Sequence, residues 1–150
     1  MLKLTTTAAF ALILSAAPAL AKGPKAKVFA GNYNGVSKID NAVGDSIFFT
    51  PIKVTINRNG KISGTAFRDI IGDRDVLGND IPGQLLTVRG QISKVKTIQE
   101  SSYQGKASGS FSDGTKWKAT FNASNLLMIK GATGTATNGS FSGDFVVTSN

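Results

Sequence analysis

The segment from Ile52 to Phe67, "IKVTINRNGKISGTAF", alternates apolar and polar residues on both sides of an Asn-Gly turn signal. That period belongs to a strand with one buried face, and two such runs around a turn make a hairpin. Register decides the loop. A two-residue Asn59-Gly60 turn pairs Ile56 with Ser63 and mixes the faces. A three-residue loop, Arg58-Asn59-Gly60 with Gly60 left-handed, pairs Ile56 with Ile62, Val54 with Gly64 and Ile52 with Ala66. The apolar set then stays together. In "ASGSFSDGTKWKATF" a Ser112-Asp113-Gly114 loop pairs Phe111 with Thr115, Gly109 with Trp117 and Ala107 with Ala119. In "GATGTATNGSFSGDFVV" a two-residue Asn138-Gly139 turn pairs Ala136 with Phe141, Gly134 with Gly143 and Ala132 with Phe145.

Consecutive hairpins predict an all-β chain, a single antiparallel up-and-down meander of about eight strands. These fall near Val28–Lys38, Ile47–Asn57, Lys61–Ile70, Gln84–Gln99, Tyr103–Phe111, Thr115–Asn122, Leu126–Thr137 and Ser140–Thr148. "LTVRGQISKVKTIQ" is the nearest thing to a helical stripe, but its β-branched residues and Gly90 favour a strand. "NGKISGTAF", "QGKASGSF" and "NGSFSGDF" resemble one another at unequal offsets, which argues against a solenoid of fixed period. Glycines inside strands permit tight bending, so the meander is expected to close, fully or partly, into a small β-barrel. A β-sandwich is the alternative.

The chain begins with a positive "MLK" and the apolar run "AAFALILSAAPALA", ending in small-x-small Ala19-Leu20-Ala21. This is the pattern of a cleaved export signal over residues 1–21, and the run is short for a membrane span. The expected location is therefore secreted or periplasmic. "KGPKAK", residues 22–27, reads as a flexible basic lead, and 28–150 as one β domain of ordinary size. No later run is long and apolar enough to span a bilayer as a helix.

The residues present narrow the chemistry. With no cysteine and no histidine, thiolate and imidazole metal sites and His-dependent nucleophilic triads are excluded. A formal charge of +8 rests on 17 Lys and Arg against nine Asp and Glu. Four of those nine, Asp69, Asp73, Asp75 and Asp80, lie in "FRDIIGDRDVLGND". An EF-hand counted from Asp73 fits at Asp75 and Gly78 but breaks at Leu77 and Gln84, leaving Asp73, Asp75 and Asp80 as weak candidates for an irregular calcium site. The bland reading is a polar loop between strands three and four, partly neutralised by Arg68 and Arg74. A glycosidase-like carboxylate pair is the third-ranked possibility, for a carboxylate-dependent hydrolase. Lys61 with Ser63 and Lys106 with Ser108 lie two apart, which on a strand puts them on one face without implying a dyad.

"GNYNG", Gly31 to Gly35, resembles the G-x-W start of lipocalin-type barrels, with tyrosine in place of tryptophan; no binding residue is carried over. Phe29, Phe48, Phe49, Phe67, Phe111, Trp117, Phe121, Phe141 and Phe145 are expected in the core. Lys94 and Lys96 share a face, as do Lys116 and Lys118, and with Lys22, Lys25 and Lys27 they could bind an anionic surface or polysaccharide, although the preferred reading of these residues is a solvated lysine face that discourages edge-to-edge association of sheets. Trp117 points away from its flanking lysines, which disfavours base stacking and nucleic acid. The leading expectation is an exported, non-catalytic binding barrel without a cofactor. Its ligand is either a small apolar molecule inside or an anionic partner outside. A structural or assembly protein of the cell surface or matrix, using sheet edges and basic faces, is the alternative.

Overall fold

A computed structural model of the chain describes residues 26–71, 77–80, 82–125 and 129–150. The expected export signal, most of the basic lead, Asp73, Arg74 and Asp75 lie outside the described residues.

Eight strands run β1 Gly31–Asp40, β2 Ser46–Ile56, β3 Lys61–Ile71, β4 Gln84–Gln99, β5 Ser102–Phe111, β6 Lys116–Ser124, β7 Ile129–Asn138 and β8 Phe141–Ser149. Each pairs antiparallel with its neighbours, and β1 pairs with β8 from Tyr33↔Ser149 to Asp40↔Ser142. The meander is thus a closed barrel rather than a sandwich. Closure satisfies every strand edge within the chain.

Two hairpin registers match the alternation argument. Ile56 faces Ile62, Val54 faces Gly64 and Ile52 faces Ala66. Gly109 faces Trp117 and Ala107 faces Ala119. Both loops close the same way: Asn57 N–H donates to the Lys61 carbonyl at 3.0 Å, and Phe111 N–H to the Thr115 carbonyl at 2.9 Å. Gly60 and Gly114 take φ of 81° and 91°, the left-handed region these loops require. The third hairpin differs. Asn138 pairs with Phe141 and Gly134 with Phe145, so the two-residue loop is Gly139-Ser140, not Asn138-Gly139. Gly139 leads with φ 58°, a Gly-first turn. The shift is two residues, so every side chain keeps its predicted face. The register seats the Phe145 ring against Gly134, where a β-carbon would collide with it.

The first strand also begins later than expected. Lys27–Phe29 form a 3-10 turn that folds under one end of the barrel. Phe29 is fully buried there, 6.2 Å edge-on to Phe121. The Tyr33 hydroxyl donates to the Phe29 carbonyl at 2.7 Å. Lys130 points inward at the same end and donates to the Ala30 carbonyl at 3.0 Å. At the opposite rim Arg68 turns inward and meets Asp113 at 2.9 Å; of the acidic loop it is expected to neutralise, Asp73 and Asp75 lie outside the described residues. Asp113 also accepts the Thr115 N–H at 2.9 Å, and the Asn138 amide donates to Thr115 Oγ1 at 2.9 Å. The Lys27–Phe29 turn with its apolar Phe29 covers one end of the core, and a polar cluster of Arg68, Asp113, Thr115 and Asn138 covers the other.

The core between the plugs is aromatic and aliphatic. Phe49 stacks on Phe111 at 4.7 Å, and Trp117 meets Phe145 edge-on at 6.0 Å. Two predicted core rings lie elsewhere. Phe67 points outward and is 39% exposed. Phe48 is half-buried on the outer wall, with the Lys38 ammonium 5.8 Å from its ring.

Candidate anion-binding wall

The interior leaves little room for a ligand. An apolar cavity of about 30 Å3 lies among Val54, Val88, Phe111, Trp117, Phe121 and Phe145. That volume is about one water molecule's share of the liquid, whereas small-molecule sites run to roughly 300–1,000 Å3.

The outside has more to offer. Inward positions are apolar and outward positions are mostly Lys, Ser, Thr, Asn and Gln, the inverse of a membrane-spanning barrel, whose lipid-facing side is apolar. Among the described residues no helix is long and apolar enough to cross a membrane.

Strands β4 to β7 contain no Asp or Glu. Their outer wall carries six exposed cations, Arg89, Lys94, Lys96, Lys106, Lys116 and Lys118. Register arranges them in rows across the strands. Arg89 faces Ser110, which faces Lys116, which faces Thr137. Gln91, Ser108, Lys118 and Thr135 make the next row. Lys94, Lys106, Thr120 and Thr133 make the third, and Lys96, Gln104 and Asn122 the fourth. Neighbouring strands lie about 4.8 Å apart and successive rows about 7 Å apart. An open groove of about 570 Å3 follows Ser108, Ser110, Lys116, Lys118, Thr135 and Thr137, where short hydroxyl side chains sit between long cationic ones.

Among the described residues the ion pairs are Lys38 with Asp40 at 3.0 Å and Arg68 with Asp113 at 2.9 Å. Neither involves the wall. Of the six wall cations, Lys106 is held by a neutral group, donating to Thr120 Oγ1 at 2.8 Å. Lys106 therefore reaches Thr120 on β6 and is not engaged with Ser108. A larger groove of about 790 Å3 opens over β1, β2, β7 and β8, but it mixes Val36, Phe48 and Val146 with Lys38 and Asp144. It gathers no set of like functional groups.

The described carboxylates lie off the wall strands: Asp40, Asp45, Asp69, Asp80 and Asp113 belong to the rim where β1, β3 and β5 end, Glu100 lies in the β4–β5 loop at the opposite rim, and Asp144 stands on β8 opposite Thr135. Among the described residues no group of three or more Asp or Glu gathers to hold a metal ion. Asp80 is exposed, and the other two calcium candidates lie outside the described residues. The Ser46 hydroxyl and then the Lys38 ammonium hold the Asp40 carboxyl below its ordinary value. A glycosidase acid needs the opposite displacement.

Sequence reasoning found the pairs Lys94/Lys96 and Lys116/Lys118. It missed Arg89, Lys106 and the hydroxyl rows between them, because only the cross-strand register joins residues so far apart in sequence. It also missed Asp113 as a structural acid. The chain matches no protein-family model, no curated protein and no solved structure with which it was compared.

Proposed function

We propose that this chain is an exported, non-catalytic binding protein whose β4–β7 wall holds an anionic polysaccharide. The observation that carries the reading is the concentration of six exposed cations on three adjacent strands, β4, β5 and β6, that contain no carboxylate. Unpaired cations on a firm sheet create a positive field that draws in a polyanion. Ser, Thr, Asn and Gln between them supply the neutral donors and acceptors that sugar hydroxyls match. Nucleic acid is disfavoured because Trp117 and Tyr33 point inward and no stacking platform accompanies the lysines. The apolar-ligand alternative lacks interior volume, and assembly through sheet edges lacks an edge.

Isothermal calorimetry of the mature chain tests this, with dextran sulfate and polygalacturonate as probes and neutral dextran, anionic lipid vesicles and single-stranded DNA as comparisons. Binding to the acidic polymers, weakening steeply with salt, is the expected result. Equal binding to neutral dextran, preference for DNA or vesicles, or no binding at low salt would contradict it.

A further inference from the structure

Lys94 and Lys106 stand directly opposite each other on adjacent strands. Like charges in that position oppose strand pairing. The sequence contains ample serine and threonine with which to avoid it. The juxtaposition also depends on an irregularity. β4 shifts register between Ile92 and Lys94, so Ser93 is an extra residue. Ile92 points into the core; strict alternation from it would send Lys94 and Lys96 inward and Val95 out. The bulge reverses this, leaving Val95 packed against the core and both lysines exposed beside Lys106. Bulges commonly re-aim side chains at functional sites.

The backbone positions that carry these three ammonium groups thus lie within about 8 Å of one another by strand geometry. Lys106 is steadied by Thr120 Oγ1 at 2.8 Å. An ammonium has three donors, so this bond leaves two. Gln104 and Asn122 border the triad and are bonded to each other at 3.3 Å. No carboxylate stands among these neighbours.

We propose that Lys94, Lys96 and Lys106 form a discrete seat for one tetrahedral oxyanion, a sulfate or phosphate ester group borne by the polymer. This deepens the preceding reading and rests on it for the polymer alone. A multiply charged oxyanion between the opposed lysines turns their repulsion into shared attraction, and its several oxygens accept from all three ammoniums. The rest of the wall then contributes general field, while the triad sets which anionic group is preferred.

The first experiment follows lysine side-chain NMR signals of the mature chain during titration with sodium sulfate or sodium phosphate, against sodium chloride at equal ionic strength. The Lys94, Lys96 and Lys106 signals are expected to move together and saturate, while Lys53 on β2 follows the chloride curve. Three signals that follow chloride would overturn the seat. A sulfated dextran and a polyphosphate, compared next, distinguish the two ester sources by affinity.

The second experiment uses Lys94→Gln. Removing an opposed charge should raise the unfolding midpoint at low salt, yet weaken dextran sulfate binding about tenfold, as expected for a lost charge-assisted hydrogen bond. Lys118→Gln, which removes a wall cation outside the triad, should weaken binding by less than about fivefold. Equal losses from the two variants would overturn the seat while leaving the wall as a whole standing. Sulfate-specific shifts at the triad with no dextran sulfate binding would do the reverse.

Discussion

Trp117 is the largest side chain in the core cluster. It is 5% exposed, and its ring lies over Gly90 and Gly109, where a β-carbon on either would overlap it. Trp117→Ala should destabilise the fold by about 3–5 kcal/mol in denaturant melts. Gly90→Ala and Gly109→Ala should each cost about 1–3 kcal/mol or more, because the ring must move and the new β-carbon also meets backbone, the Ser108 carbonyl at Gly90 and the Arg89 carbonyl at Gly109. Trp117→Phe keeps an aromatic ring and removes a buried N–H that has no partner among the described residues, so it should cost less than the alanine variant. A near-neutral Trp117→Ala with red-shifted native fluorescence would show an outward ring. Tyr33 gives a pH test. Burial pushes its phenol from 10.0 up to about 12. The fold favours the neutral phenol, so this contribution is complete below about pH 10 and is lost as pH rises through about 12. Wild type should therefore lose more stability than Tyr33→Phe between pH 10 and 12. At neutral pH the variant should already cost about 1 kcal/mol, since the Phe29 carbonyl loses its 2.7 Å donor. Parallel stability curves across the alkaline range would contradict the assignment.

At the scale of elements, legibility depended on whether a wrong register changes a face. A one-residue slip in β2–β3 or β5–β6 mixes apolar and polar residues, so alternation alone selected the right pairing. The β7–β8 error was two residues, which no face argument detects. Only the fit of Phe145 against Gly134 and the choice between Asn-Gly and Gly-Ser turns separate those registers. The Lys27–Phe29 turn was not legible either, because its reason lies partly in Phe121, a distant strand residue that receives Phe29 beside Tyr33. The rim plug was hidden for a similar cause: Arg68 and Asp113 are 45 residues apart. Asp113 there serves three elements at once, and its side chain is only 6% exposed. Asp113→Ala should cost about 2–3 kcal/mol, leaving the Arg68 guanidinium and the Thr115 N–H without their acceptor. A double-mutant cycle with Arg68→Ala should return a favourable coupling; simple additivity would show that the ion pair contributes nothing.

Over the whole molecule, charge is sorted by place. Among the described residues five of the seven carboxylates collect at one rim and the six wall cations on β4, β5 and β6, while the interior is filled. The lysine pairs on β4 and β6 were visible as i, i+2 residues, but closure and the β4 bulge turn them into a connected surface. The proposed binding role is assigned to that surface because the interior leaves a cavity of only about 30 Å3. Backbone amide NMR of the chain with added dextran sulfate, at low and at high salt, tests this most directly. Shifts confined to the outer residues of β4–β7 and abolished by salt are the predicted result. Salt-insensitive shifts centred on Trp117, Phe121 and Val147, the lining of the interior, would contradict it.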